Sequence, residues 1–137
     1  MVELVAQESA EAVPKGIYKA KLVREEVRKI KKGDEEIEYL DLIWEITEGE
    51  YAGQEIRESA PLYLSPKSKL GNIWKELTGE TVVAGQKYKT ENLIGVQAQL
   101  TVDVEEVEGK DGRKFKVNRI KAHLVDYEVK PVEQTKL

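Results

Sequence analysis

The chain has 137 residues, of which 40% are hydrophobic and 35% are charged, and its net charge is -4. This length suits one domain with its own core, and the acidic balance argues against a protein that coats duplex DNA by bulk attraction, although it is compatible with a local basic groove. The sequence has no cysteine and a single histidine, His123, which excludes disulfides, thiolate metal sites and histidine metal clusters. The Glu- and Lys-rich composition resembles that of thermophilic proteins.

No segment is apolar enough to span a bilayer, and the sequence does not open with a charged-then-apolar signal segment. We therefore expect a cytoplasmic protein with no membrane partner. Residues 1–13 lack a clear hydrophobic period and are expected to form a flexible tail.

A long first strand is predicted for residues 17–29. Its apolar side chains lie on one face as far as Leu22 and on the other face from Val23 onward. Such a switch within one strand indicates a β-bulge or a strong bend, which is the device that curls a sheet.

A second strand is predicted for residues 35–47 and a third for residues 54–60. The core face of the second strand follows a strict alternation and comprises Leu40, Leu42, Trp44 and Ile46. The opposite face of this strand is unusually apolar for a solvent-facing surface, because it carries Ile37, Tyr39 and Ile43.

A helix is predicted to begin at Ser65 and Pro66, since serine caps unpaired amides and proline suits the first turn. Its single apolar stripe is formed by Leu70, Ile73, Trp74 and Leu77. Gly79 is a typical C-terminal stop, and residues 90–95 are expected to form one short helical turn.

The clearest pattern is a hairpin that follows this turn. Apolar and polar residues alternate from Val96 to Val104, which predicts a strand with one buried face. Asp111 and Gly112 suit a tight turn, and a returning strand extends to residue 124. Within that strand His123 has the parity opposite to its apolar neighbours, so we expect it to face solvent.

The order of these elements predicts an all-β fold with one helix, a five-stranded OB-fold barrel β1-β2-β3-α-β4-β5. The domain is expected to span residues 14–125, with a C-terminal tail at residues 126–137. Barrel closure would hide both sheet edges, and the helix would cover the open end. A β-sandwich with an added helix is the alternative.

The sequence carries no enzyme signature. Adjacent carboxylates such as Glu25 and Glu26 point to opposite faces of a strand, so such pairs do not converge. No glycine-rich phosphate loop follows a strand and opens a helix. We expect a non-catalytic protein with no cofactor, no metal site and no small-molecule substrate.

A binding function has more support in the sequence. Basic residues cluster at the end of the first strand and along the tip and returning strand of the last hairpin, where an OB-fold places the walls of its ligand groove. Lys and Arg hold the phosphates of single-stranded nucleic acid in such grooves, and aromatic rings stack on its bases. The phosphate candidates are Arg28, Lys31, Lys32, Arg113, Lys114 and Lys116. Tyr39 and Phe115 are the stacking candidates.

Two other interpretations of the same residues stay open. Basic residues on turns are usually only solvated, and the acidic residues around Tyr39 would repel phosphates. The apolar outer face of the second strand could instead bind a protein, including a second copy of this chain. A protein–protein interaction or structural module is therefore the alternative function.

Five short stretches of the sequence resemble a known family. They are Val13-Pro-Lys-Gly-Ile-Tyr18, Tyr39-Leu-Asp-Leu-Ile-Trp-Glu-Ile46, Glu48-Gly-Glu-Tyr-Ala-Gly-Gln54, Leu93-Ile-Gly95 and Asp111-Gly112-Arg113. The chain is similar in these stretches to the small OB-fold proteins encoded by phages and prophages, which are regarded as single-stranded DNA-binding proteins of replication and recombination. The resemblance implies a largely sequence-independent binder of single-stranded DNA and allows a homo-oligomer. Residues 130–137 depart from the acidic tail that many such proteins use to recruit partners.

Overall fold

The computed structural model describes residues 12–109 and 111–125. The elements in chain order are β1 (Gly16–Lys32), β2 (Glu35–Ile46), β3 (Glu55–Pro61), helix α1 (Lys69–Thr78), a 3-10 helix (Thr90–Leu93), β4 (Gln97–Glu108) and β5 (Lys114–Leu124). The fold is therefore mostly β with one α-helix, in the predicted order. Residues 1–11 and 126–137, which hold most of the two predicted tails, lie outside the described residues.

The five strands form one antiparallel sheet in the order β3-β2-β1-β4-β5. Within residues 12–109 and 111–125, no strand ladder joins the two edge strands β3 and β5. The predicted closure into a barrel is therefore not observed. Side chains of β3 and β5 line a groove, and this groove lies where a closing ladder would run.

The predicted bulge in β1 is confirmed, because the pairing of β1 with β2 shifts register between Leu22 and Arg24. Before the bulge, Leu22 lies opposite Trp44 and is buried in the core. After it, Arg24 and Arg28 both lie on the opposite, outer face of the sheet. The extra residue thus reverses the alternation of inward and outward side chains in the second half of β1. As a result, its arginines lie on the surface.

The core lies between the inner face of the sheet and α1. All four residues of the predicted β2 core face and all four residues of the predicted helix stripe are buried. Val13, which the sequence assigns to the tail, is also a core residue with 2% of its surface exposed. Its backbone N–H donates to Asn118 Oδ1 and its carbonyl accepts from Asn118 Nδ2, both at 2.9 Å, which fixes the residue to β5.

Helix α1 begins three residues later than predicted from the Ser65-Pro66 pair. Ser68 is its N-cap, because its Oγ accepts the hydrogen bond of the Gly71 N–H at 3.0 Å. Ser65 instead belongs to a turn that leads into the helix, where its carbonyl accepts from Ser68 Oγ. Gly79 ends the helix in the left-handed conformation at φ 82°, as predicted. No helix in the described part of the chain has the length and apolarity needed to cross a bilayer.

Replacing Gly71 with alanine is expected to destabilise the protein, although alanine normally favours a helix over glycine by about 1 kcal/mol. A Cβ atom at this position would lie 1.8 Å from the Ser65 carbonyl oxygen. We expect the free energy of unfolding to fall by about 1–3 kcal/mol, as for other overpacked sites. Urea unfolding followed by tryptophan fluorescence measures the change. The exposed Asn72→Ala variant is the control, and a Gly71→Ala protein as stable as wild type would contradict this packing.

Candidate nucleic-acid interface

The outer surface of β1, β2 and β3 carries rows of cross-strand neighbours rich in arginine. In one row Arg28 lies opposite Tyr39, and in the next Glu26 lies opposite Asp41. Arg57 of β3 lies opposite Ile43 of β2. This surface, which we call the arginine face, consists of Arg24, Glu26, Arg28, Tyr39, Asp41, Ile43, Glu55, Arg57 and Ser59.

Asp41 is the centre of the arginine face and is fully buried, with a relative exposure of 0%. Its carboxylate accepts hydrogen bonds from Arg28 Nε, Arg57 Nη1 and Ser59 Oγ, each at 2.6 Å. Burial by itself would raise the pKa of Asp41, but these three hydrogen bonds outweigh burial and hold the pKa below its usual range. The carboxylate is therefore ionised at neutral pH and fixes two guanidinium groups on the surface.

A second set of ion pairs extends the network to the edge of β3. Arg24 makes a two-pronged contact with Glu55, with both N···O distances at 2.9 Å. Glu26 joins the two halves, since it accepts from Arg24 Nε at 3.3 Å and from Arg57 Nη1 at 3.2 Å. These three arginines are 40–48% exposed at their side chains, so the network holds them in place while leaving them in contact with solvent.

Tyr39 belongs to the same surface. The Arg28 guanidinium carbon lies 5.5 Å from the centre of the Tyr39 ring, within the range of a cation–π contact. Tyr39 is only half-buried, so part of the ring is accessible. A base stacked here would share the ring with Arg28.

Beside the arginine face, an open groove of about 400 Å³ runs between β3 and β5. The residues that line it are Ile43, Glu55, Ile56, Arg57, Ser59, Phe115, Lys116, Val117, Asn118 and Arg119. Phe115, the one phenylalanine of the chain, is 50% exposed, so half of its surface is accessible to a ligand. We call this feature the β3–β5 groove.

The β3–β5 groove has an excess of positive charge. Its charged lining residues are three basic side chains, from Arg57, Lys116 and Arg119, and one acidic side chain, from Glu55. Arg119 is paired with Glu105 at 2.5 Å on its strand neighbour β4. Arg57 is paired with Asp41 and Glu26, and Lys116 lies opposite Glu106 in the strand pairing. The lining itself is therefore basic, but acidic neighbours partly offset its charge.

Four of the eight predicted site residues lie on one continuous surface. Arg28 and Tyr39 contact each other on the arginine face, and Phe115 and Lys116 line the β3–β5 groove. Ser59 connects the two features, because it lines the groove and accepts a 3.1 Å hydrogen bond from Arg28 Nη2.

The other four predicted residues, Lys31, Lys32, Arg113 and Lys114, neither line the groove nor belong to the arginine face. Lys31 and Lys32 are exposed at the end of β1, opposite Glu36 and Glu35 of β2. The β4–β5 hairpin extends beyond the other end of β1, because Val102 of β4 already pairs with Gly16. The two basic turns thus leave β1 at opposite ends.

In the β4–β5 hairpin, the predicted basic residues have acidic neighbours. Arg113 Nε lies 3.3 Å from Asp111 Oδ2. Lys114 is exposed and lies opposite Glu108 in the strand pairing. Their charge is therefore partly offset before any ligand arrives.

Two basic residues of the groove, Arg57 and Arg119, are not among the predicted site residues. The signal for Arg57 is present in the sequence, because its neighbour Ile56 faces the core and alternation then turns Arg57 outward. Arg119 belongs to the basic returning strand, but its place in the groove depends on the approach of β5 to β3.

The apolar outer face predicted for β2 is smaller in the structure than the sequence suggests. Ile43 is buried, with 2% of its surface exposed, and Ile37 and Tyr39 are half-buried. Arg28 and Arg57 meet over Asp41 between these residues. A protein partner that binds this face would therefore contact less accessible apolar surface than the sequence suggests.

His123 does not face solvent, so that prediction is wrong. Its side chain is 4% exposed and bridges two carboxylates, with Nε2 2.9 Å from Glu58 and Nδ1 2.7 Å from Glu76. Trp44 Nε1 also donates to Glu58, at 3.1 Å. Burial lowers the pKa of His123, but its hydrogen bonds to Glu58 and Glu76 and their negative charge outweigh burial and raise the pKa above its ordinary value. The register shift of β4 and β5 between Thr101 and Val102 is what turns this residue inward.

Within residues 12–109 and 111–125, no group of three or more His, Asp or Glu side chains has an arrangement that could hold a metal ion. The sequence was also compared with known proteins. No model of a known protein family matches the chain, and no curated protein is significantly similar to it.

Proposed function

We propose that this chain is an OB-type domain that binds single-stranded DNA across the β3–β5 groove and the arginine face, without catalysis and with little dependence on base sequence. The observation that carries the proposal is the groove, in which the half-exposed Phe115 ring lies beside the three basic side chains. Aromatic rings that stack on bases, combined with Lys and Arg that contact phosphates, are the usual means of holding a single strand.

The strand arrangement supports the OB-type fold. An OB-fold is a partly open, five-stranded barrel with Greek-key connections. In the order β3-β2-β1-β4-β5, bringing the two edges together would make β3 and β5 neighbours, and these are the strands that line the groove. A role in phage or prophage replication or recombination rests on the family resemblance alone.

The ion-pair network supports the second half of the proposed surface. Asp41 holds the Arg28 and Arg57 guanidinium groups in place before any ligand binds, so less side-chain freedom is lost on binding. The acidic partners also weaken the attraction for phosphate. We therefore expect moderate affinity, with much of the binding energy coming from stacking in the groove.

Binding is tested by titrating a fluorescein-labelled oligothymidylate at low salt. We expect saturable binding that weakens linearly on a plot of log K against log salt. Phe115→Ala is expected to weaken binding about tenfold, because a stacked base contributes roughly 1–3 kcal/mol. Lys116→Gln is expected to reduce the salt slope by about 0.7, the value for one phosphate contact on a single strand.

The matched control is Lys87→Gln, which removes the same charge from an exposed position between α1 and the 3-10 helix. This variant should keep the wild-type salt slope. The proposal fails if wild type does not bind at low salt. It also fails if Lys87→Gln and Lys116→Gln lower the affinity equally, because the binding would then reflect overall charge.

A further inference from the structure

A second pocket lies at the end of β3, outside the surface described above. Its volume is about 360 Å³, and it is lined by Pro61, Tyr63, Ser65, Lys67, Ser68 and Lys69. Tyr63 is 67% exposed, the second-highest exposure among the large hydrophobic side chains of the described residues. The two charged residues of the lining are both lysines.

The backbone around Tyr63 is fixed, although its ring is exposed. The Leu62 N–H donates to the Glu38 carbonyl at 2.8 Å, and the Tyr63 N–H donates to the Pro61 carbonyl at 2.7 Å. On the far side of the pocket, the Ser65 N–H donates to Ser68 Oγ at 3.0 Å. The loop therefore presents the ring to solvent from a defined position.

The pocket is continuous with the proposed DNA surface along β3. Lys69 Nζ donates to the Ser59 carbonyl at 2.7 Å, and Ser59 lines the β3–β5 groove. Pro61, which lines the pocket, pairs with Tyr39 of the arginine face. Ser59 and Tyr63 are four residues apart, so their Cα atoms are separated by no more than about 14 Å.

We propose that Tyr63, Lys67 and Lys69 form a further subsite for single-stranded DNA, in which a base stacks on the Tyr63 ring and the two ammonium groups contact neighbouring phosphates. This inference rests on the proposed function, because the same strand would pass from the groove over Tyr39 to the pocket. The chemical basis is the complementarity of an exposed ring and two cations to a base and its phosphates. A strand that reaches the subsite must be longer than one that fills the groove alone.

The test uses two labelled oligothymidylates, of about 4 and about 16 nucleotides, the limits of the site size of one OB-fold. Tyr63→Ala is expected to weaken binding of the long oligonucleotide about tenfold and to leave binding of the short one unchanged. Tyr63→Phe should keep wild-type affinity, because it retains the ring. Leu62→Ala is the matched control, since Leu62 is also exposed but does not line the pocket.

A second measurement uses the wild-type protein alone. Ultraviolet crosslinking to the long oligonucleotide with iodouracil in place of thymine should label the tryptic peptide of residues 58–67, in which Tyr63 is the only aromatic residue. If wild type binds the long oligonucleotide but Tyr63→Ala binds it equally well, and the peptide carries no label, the subsite is wrong while the proposed function stands. If wild type binds neither oligonucleotide, both are wrong.

Discussion

Replacing Asp41 with asparagine is expected to lower the free energy of unfolding by about 3 kcal/mol. The carboxylate is fully buried and accepts hydrogen bonds from two arginines and a serine. Asparagine keeps the size of the side chain but removes the charge and presents an NH₂ group to donors. Arg28 and Arg57 keep some contact with water, which limits the loss. Urea unfolding at neutral pH measures the change.

The same substitution should change the acid dependence of stability. The pKa of Asp41 is lower in the folded protein than its ordinary value, so its contribution is present above about pH 3.9 and is lost as the pH falls through the lower, folded-state value. Asp41→Asn should lack this part of the acid transition. Asp34→Asn, at the exposed β1–β2 turn, is the control. Equal stability of the two variants would show that Asp41 does not hold the network.

Replacing His123 with glutamine is expected to lower the free energy of unfolding by about 3–5 kcal/mol below pH 6.5, because it removes the charge that separates two carboxylates. Glu58 has a side chain only 4% exposed, so it would lose its charged partner inside the protein. The bridge joins three elements, because Glu58 belongs to β3, Glu76 to α1 and His123 to β5. Its loss should therefore loosen the helix and the edge strand together.

The pH dependence of this contribution has the opposite sign to that of Asp41. The pKa of His123 is raised in the folded protein, so its stabilising effect is fully present below about pH 6.5 and is lost as the pH rises through the folded-state value. Because the chain has one histidine, its ring signals in an NMR titration need no assignment. A pKa at or below 6.5, or wild-type stability that does not fall above that pH, would show that the imidazolium bridge is absent.

These two clusters have different consequences for the proposed binding surface. The Asp41 network fixes guanidinium groups directly on the binding surface. The His123 bridge instead joins β5 and α1 to β3 away from that surface. The β3 edge of the groove is held by the buried Asp41, which accepts hydrogen bonds from Arg57 and Ser59, and the β5 edge is held by the contact of His123 with the buried Glu58. Variants at these positions should be compared in binding assays only where they remain folded.

Most of the secondary structure could be predicted because it depends on local periodicity. The alternation of Ala98, Leu100 and Val102 reports a strand whatever packs on it, and all three are buried. The parity change after Leu22 likewise located the bulge. The start of α1 was harder to predict, since Ser65 and Ser68 are both suitable N-caps. Only the hydrogen bond from the Gly71 N–H to Ser68 distinguishes them.

The candidate site was predicted in part, because its residues depend on which strands meet. Phe115 and Lys116 were identified from composition and line the groove, whereas Lys31 and Lys32 lie in a similarly basic segment at the end of β1 and do not line it. The sequence shows that a segment is basic. It does not show whether the curvature of the sheet brings two basic segments to the same surface.

The sequence by itself determined a mostly β chain with one helix, the core faces of β2 and β4 and the bulge that moves the arginines outward, since each of these follows from residues close together in the chain. Only the tertiary structure decided that Asp41 and His123 are buried, and that β3 and β5 face each other across an open groove. A polar residue can be buried only if partners from other strands satisfy it, and those partners lie 13 to 65 positions away. Local patterns do not encode charge pairing across strands, so the burial of these two residues could not be inferred from the sequence.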